Sequence, residues 1–336
     1  MIQEAIQQLI DGKDLSRVEA QQVMDQIMSG EATDAQIGGF LVALRCKGET
    51  EDEVAGFTEV MRAKATRISG GRPPLLDTCG TGGDASGTFN ISTTAAFVAV
   101  GAGCTVAKHG NRAISSKCGS ADVLAELGVD IEADPGRVGT CLDEAGIGFL
   151  FAQALHGAMK HAIGPRRELG TRTVFNILGP LTNPAGARRQ LIGVYDGDLT
   201  GKLAGVLHEL GSERAFVVHG SDGLDEITLT GMTRVAELNA GSIETYEIRP
   251  GDLGFDEAGV EELKGGNAEE NAGILLEVLD GGKGPRSDVV LMNAAAAIAA
   301  GGLASSLEEG VDRARSAISS GRAREALEKL KGVSNS

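Results

Sequence analysis

The sequence predicts an α/β fold in which a small N-terminal helical domain precedes a larger α/β domain built on a mostly parallel central sheet. Three observations carry that expectation: helix-start signatures crowd residues 1–70, a Gly70-Gly71-Arg72-Pro73-Pro74 break follows, and short apolar runs then alternate with helical stretches. Within the first part, Ser16 with Glu19, Thr33 with Gln36 and Thr50 with Glu53 have the spacing of capping boxes. Each hydroxyl can accept the N–H three residues on while the acid or amide returns the bond, so each pair marks a helix start. Ile2, Ile6, Leu9 and Ile10 repeat at helical spacing and give a further helix its buried face. The glycines and prolines at 70–74 stop the pattern and read as a linker or hinge, which puts the helical domain at 1–70 and the α/β domain at 71–336.

Beyond the break, residues 75–78, 104–107, 148–151, 190–194 and 215–218 are short apolar strands. Helical stretches separate most of them; strands joined through helices lie parallel, with the sheet covered on both faces. Residues 233–238 and 242–248 read as two more strands and 268–279 as a helix. Alanine-rich 289–300 is expected to be a buried helix whose small side chains permit close packing. The segment 307–330 alternates charged and apolar positions, as one or two surface helices do. In such a sheet, ligands belong at the carboxyl ends of the strands.

Two loops at predicted strand ends carry chemistry. The first is Asp77-Thr78-Cys79-Gly80-Thr81-Gly82-Gly83-Asp84, followed by Asn90-Ile91-Ser92-Thr93-Thr94. Its three glycines leave main-chain N–H groups unshielded, and the helix start after them adds orphan donors and the positive end of a dipole, which together suit a phosphate. Residues 80–85 also fit the loose dinucleotide pattern G-x-G-x-x-A, which is weak alone. Two features count against it: the helical run starts only at Ile91, and the next strand ends in Lys108-His109 where an acid for a ribose hydroxyl is expected. No Gly-Lys-Ser/Thr follows, which argues against a P-loop. A glycine-rich surface turn without a ligand is the plain alternative.

The second loop runs Lys108-His109-Gly110-Asn111-Arg112-Ala113-Ile114-Ser115-Ser116-Lys117-Cys118-Gly119-Ser120. Its three cations reverse the average field of a chain whose formal net charge is -16. A solvated charge run would account for the lysines but not for the interleaved glycine, asparagine and serines; an anion site accounts for both.

Together, D-T-C-G-T-G-G-D, N-I-S-T and K-H-G-N-R-A-I-S-S-K resemble the anthranilate phosphoribosyltransferase family. The resemblance continues through residues 149–152, 161–173 and 175–184, then Val218-His219-Gly220 and Gly223-Leu224-Asp225-Glu226-Ile227, so collinear blocks span 77–227. It implies a nucleoside phosphorylase/phosphoribosyltransferase-like fold. It also implies transfer of the phosphoribosyl group of 5-phosphoribosyl 1-pyrophosphate to the amine of anthranilate, giving N-(5-phosphoribosyl)anthranilate and pyrophosphate in tryptophan biosynthesis. Such a reaction builds positive charge on the sugar and negative charge on the leaving group, so positioning and electrostatics suffice without a covalent catalyst.

By the same resemblance, Gly80, Gly83, Asp84, Thr88, Asn90, Ile91, Ser92 and Thr93 line the phosphoribosyl pyrophosphate site. Lys108, His109, Gly110, Asn111, Arg112, Ala113, Ile114, Ser115 and Ser116, with Ser120, form its opposite wall. Ser92, Asp225 and Glu226 match the family's Mg2+ ligands, and magnesium is a hard cation that keeps water and takes one or two carboxylates plus substrate phosphates. Arg166 matches the arginine that pairs with the anthranilate carboxylate, with Gly80 and Asn111 also near the aromatic substrate. A guanidinium fixes a carboxylate's plane through two parallel hydrogen bonds. The aromatic amine is neutral at pH 7 and needs no strong base, so no residue is assigned as an essential catalyst and His109 is a candidate to accept a proton late. The resemblance further implies that a segment near 165–185 returns to the helical domain, that the cleft between domains closes about a hinge, and that the protein is a homodimer. In one departure, Gly157 follows His156 where the family commonly has proline, which loosens the backbone ahead of Arg166. Pyrimidine nucleoside phosphorylase and a non-catalytic, nucleic-acid-binding homologue are the alternative readings. The K-H-G-N-R loop and Arg166 oppose the first, and the intact Asp225-Glu226 pair opposes the second.

Composition narrows the setting. Five cysteines with no C-x-x-C argue against a disulfide framework and a structural zinc site. Met1-Ile2-Gln3-Glu4 lacks the basic start of a secretory signal, and the apolar run 95–107 is too short and glycine-broken to span a bilayer, so a cytoplasmic protein with no membrane partner is expected. With 47 acidic against 31 basic side chains and 3% aromatics, nucleic acid is not an expected partner.

Overall fold

The computed structural model describes residues 1–84, 86–113 and 117–336. Helix α1 (Ile2–Ile10) precedes α2 (Arg17–Met28), α3 (Asp34–Lys47) and α4 (Glu51–Lys64), and the three expected capping boxes close at the starts of the last three. Each such N-cap contributes about 1 kcal/mol. Glu53 does more than cap. Fully buried, it accepts from the N–H groups of Leu15 and Thr50 at 2.8 Å and from Lys47 Nζ at 2.9 Å, so the buried charge is paired and the α1–α2 connection is pinned.

Seven strands then form one sheet: β1 (Leu75–Gly80), β2 (Thr105–Gly110), β3 (Ile147–Phe151), β4 (Arg189–Gly193), β5 (Arg214–Gly220), β6 (Thr233–Asn239) and β7 (Ser242–Ile248). Their order is β3-β2-β1-β4-β5-β6-β7, parallel through β5 and antiparallel for the last two. Strand β2 outruns its apolar stretch because Lys108, His109 and Gly110 stay in register with Phe149, Leu150 and Phe151; backbone pairing does not require apolar side chains. The chain grows outward from β1 to β3, then restarts on the other side of β1 at β4. That reversal is a topological switch point, where a crevice opens at the carboxyl ends of the strands.

One face of the sheet is covered by α5 (Ile91–Gly101), by the expected alanine-rich helix Pro285–Ala300, and by the two C-terminal helices Leu307–Ser319 and Arg322–Ser334. Helix α5 is apolar nearly all round, as a helix enclosed on every side must be. The other face packs against the helix Leu199–Glu209, α4 and residues 174–181. Phe40 and Phe57 of the bundle, Phe175 and Leu178 of the connecting segment, and Ile192 and Val217 of the sheet belong to one apolar core. The helix Lys160–Leu169 packs on α2 and α3. Among the described residues no disulfide forms, and no helix is long and apolar enough to cross a membrane.

Candidate active site

Four parallel strands end in glycine at the same edge: Gly80, Gly110, Gly193 and Gly220. A Cβ on Gly193 would lie 1.5 Å from the carbonyl oxygen of Asp225, and one on Gly80 would lie 2.4 Å from the Asp225 carboxylate. Bare backbone at both positions lets the loop after β5 lie across the ends of β1 and β4, which delivers Asp225 and Glu226 to the switch point. Asp222 braces that loop, accepting the hydroxyls of Thr228 and Thr230 at 2.7 Å. Asp225 accepts the N–H of Gly82 at 2.8 Å and Glu226 accepts the N–H of Ser92 at 3.1 Å. The acidic pair therefore ties together the glycine-rich loop and the first turn of α5.

Protein atoms crowd both carboxylates while leaving each some accessible surface. Burial, and then the neighbouring Asp84 carboxyl, push Asp225 above the usual carboxylate range; burial and the Asp225 charge do the same to Glu226. Lys108 offsets little of this. Its ammonium is turned under the sheet edge, donating to the Thr78 carbonyl at 2.6 Å, and burial lowers its pKa. Asp84, Asp225 and Glu226 thus gather negative charge that the buried Lys108 meets only at Glu226. Among the described residues no group of three or more His, Cys, Asp or Glu side chains is arranged to hold a metal alone. Magnesium asks for less, one or two carboxylates completed by water and phosphate oxygens, and the donors here fit that demand.

The second loop is more self-neutralised than its sequence suggests. Asp122 accepts from Arg112 Nη1 at 3.1 Å and from the N–H groups of Ala113 and Gly119 at 2.9 Å, drawing the loop closed. Ser120 Oγ accepts the Asn111 N–H at 3.2 Å, and Gln153 donates to Asn111 Oδ1 at 3.1 Å. Ile114, Ser115 and Ser116 lie outside the described residues. Asn90, at the start of α5, spends its side chain on the Cys118 carbonyl and on Asn271 rather than on its own helix. Ile91 and Thr93 are buried, and Thr88 bridges to Lys264.

His109 Nε2 lies 3.2 Å from His156 Nε2. Burial and the His156 ring push His109 down to about 3, and burial takes His156 to about 4, so both rings are neutral at pH 7. Arg166 sits over the Phe175 ring, 5.0 Å from its centre, and burial lowers its pKa. Among the described residues its guanidinium has no carboxylate or carbonyl partner, and no bond joins it to Gly80 or Asn111.

Several residues that shape this edge were not picked out from the sequence. Arg172 lies against the Tyr195 ring, 3.9 Å from its centre, and donates to the Gly83 carbonyl. Asp122, at the third position of a short helix beginning Ser120-Ala121-Asp122, carried a capping signal that could have revealed it; Asn271 and Arg172 reach partners far along the chain and left none. At the opposite, amino edge of the sheet a cavity of about 570 Å³ opens among Arg188, Arg189, Arg214 and His208, and none of the expected site residues lines it.

Comparison with known proteins agrees with this geometry. Residues 3–65 match the helical bundle domain of a glycosyl transferase family and residues 72–324 match the a/b domain of that family. An anthranilate phosphoribosyltransferase of Anaeromyxobacter dehalogenans is 58% identical over 330 residues, covering 98% of both chains. The crystal structure of anthranilate phosphoribosyltransferase from Thermus thermophilus superposes with a TM-score of 0.94 at 46% identity, covering 99% of each chain. The enzyme from Saccharomyces cerevisiae, in complex with PRPP and Mg, does so with a TM-score of 0.90 at 29% identity over 99% of this chain and 98% of its own. With both halves of its architecture matched in order and at such identity, the chain belongs to the anthranilate phosphoribosyltransferase family.

Proposed function

We infer that this protein is an anthranilate phosphoribosyltransferase, transferring the phosphoribosyl group of 5-phosphoribosyl 1-pyrophosphate to the anthranilate amine and releasing pyrophosphate in tryptophan biosynthesis. The observation that carries the reading is the stitching of the glycine-rich loop and the start of α5 to Asp225 and Glu226 at the switch point. The main-chain N–H groups of Gly83, Asp84, Asn90 and Thr93, which the carboxylates and neighbouring carbonyls leave unused, bind phosphate oxygens, aided by the dipole of α5. Residues 108–113, with Ser120, close the other side. Ser92, Asp225 and Glu226 hold Mg2+, which neutralises the departing pyrophosphate when bound.

Arg166 takes the anthranilate carboxylate. A half-buried guanidinium resting on a ring with no counter-ion is incomplete without an anion, and Phe175 beneath it keeps its plane fixed. His109, neutral and paired with His156, positions rather than abstracts; a ring pushed down to about 3 is a weak base at pH 7. Catalysis is then positioning and charge stabilisation. Pairing with a second copy through the helical domain is supported by exposed Ile10, Val18 and Val42 on α1 to α3.

The test is a fluorescence assay in which anthranilate is consumed when phosphoribosyl pyrophosphate is added. Loss of signal only with magnesium present is expected; no turnover in either condition would defeat the assignment.

A further inference from the structure

We propose that Arg172 is a positioning residue that latches the glycine-rich loop to the helical domain, so that the set of the cleft controls how well phosphoribosyl pyrophosphate is gripped; this rests on the function inferred above. The loop is held at two successive residues by opposite partners. Gly82 gives its N–H to Asp225 at 2.8 Å, and Gly83 gives its carbonyl to Arg172 Nη2. Both glycines take left-handed backbone conformations, φ 66° and 78°, and a glycine pair has little conformational preference of its own. External hydrogen bonds must set its shape.

The other end of the latch is anchored in the bundle. Arg172 follows Gly170, the left-handed end of the helix Lys160–Leu169 that packs on α2 and α3. Arg45, in the last turn of α3, donates to the Arg172 carbonyl, and Asn176 accepts the Thr173 N–H at 2.9 Å. A short hydrogen-bonded path therefore runs from α3 through Arg172 to Gly83. Tyr195, on which the guanidinium rests, completes it: its N–H donates to Thr81 Oγ1 at 3.1 Å, so the aromatic platform hangs on the same loop. Only a planar cation can lie flat on that ring and still present an N–H edgewise to a carbonyl; an ammonium cannot do both.

Steady-state kinetics of the full chain with magnesium test the proposal. Arg172→Ala and Tyr195→Leu should each raise KM for phosphoribosyl pyrophosphate by about ten- to a hundredfold while KM for anthranilate barely moves. The double variant should be no worse than Arg172→Ala alone, because both break one latch. Arg172→Lys should keep most of the defect. Full rescue by lysine would mean that charge alone matters, and an unchanged KM for phosphoribosyl pyrophosphate, or equal losses for both substrates, would overturn the latch. Should Arg172→Ala fail to fold, Tyr195→Leu and Arg172→Lys decide. Wild-type protein that does not consume anthranilate would defeat the inferred function instead, so the two failures are distinct.

Discussion

The two edges of this sheet both gather charge, and they treat it in opposite ways. At the amino edge, Arg188 and Arg189 share Glu213 at 3.4 and 3.1 Å and Arg214 meets Glu237 at 3.0 Å. Further N–H groups of the three arginines go to the carbonyls of Gly211, Gly301 and Ala304. The wide cavity there is lined by satisfied groups. At the carboxyl edge, Asp225 gathers with Asp84 and Glu226 while the buried Lys108 meets only Glu226 of the three, and Arg166, in the helix Lys160–Leu169, has only a ring for company. Cavity volume alone would select the wrong edge. Unmatched charge selects the other, because partly buried ions are costly to leave uncompensated unless a ligand completes them.

The contrast is tested most strongly by Asp225→Asn combined with Glu226→Gln. We expect kcat/KM to fall by about a hundredfold or more, since charge stabilisation at the leaving group is the main catalytic resource. Folded stability should not fall, because amides remove two groups whose ionised forms burial already penalises. Kinetics across a magnesium series, paired with calorimetry, checks both halves; loss of stability alongside activity would make this pair structural and erase the difference between the edges. Next in size, Arg166→Ala should reduce kcat/KM for anthranilate by about ten- to a hundredfold, the worth of a charge-assisted contact, and leave KM for phosphoribosyl pyrophosphate nearly unchanged. Equal damage to both substrates would reassign Arg166.

The amino edge should answer in the reverse sense. Arg214→Ala strands Glu237, a mostly buried carboxylate that would keep only the Tyr246 hydroxyl at 3.0 Å. A loss of about 1–3 kcal/mol in denaturant unfolding is expected, with kcat/KM at its wild-type value. A kinetic defect without a stability defect would mean that the arginine pocket serves the reaction.

What the sequence discloses about this comparison divides along physical lines. The capping boxes at Ser16, Thr33 and Thr50, the seven strands and the glycine-rich loop are local patterns, and all are present. The neighbouring of β1 and β4 is not local: Gly80 faces Gly193 only because the crossover after β3 returns to the far side of β1. For the same reason Arg172 reaching Gly83 has no local signature, whereas Asp122, three residues past Gly119, has one; Lys108, an open cation by residue type, proves to be turned under Thr78. Residue type announces that a charge exists; only tertiary pairing decides whether it remains available.

The smallest effect concerns the neutral members of the carboxyl edge, His109 and His156. Their native values, about 3 and about 4, lie below the ordinary 6.5, so between those limits the unfolded chain binds protons that the native rings refuse. Their contribution is fully favourable above pH 6.5 and declines as pH falls, by about 1 kcal/mol per ring at pH 5.5. Asp77, Asp225 and Glu226 work the other way: burial raises them to about 6, about 7 and about 8, and their protonation favours the folded state over the same range. The comparison must therefore be with His156→Gln, which removes one ring, keeps an amide to meet His109 Nε2 and leaves Asp77 in place. As pH falls from 7 to 5.5, the wild-type denaturant midpoint should lose ground against that of the variant, because the three carboxyls contribute equally to both and cancel. Parallel curves would mean that the imidazoles take up protons in the folded state. The carboxyl edge would then hold cations of its own against Asp225 and Glu226, and the charge deficit that distinguishes it from the amino edge would shrink.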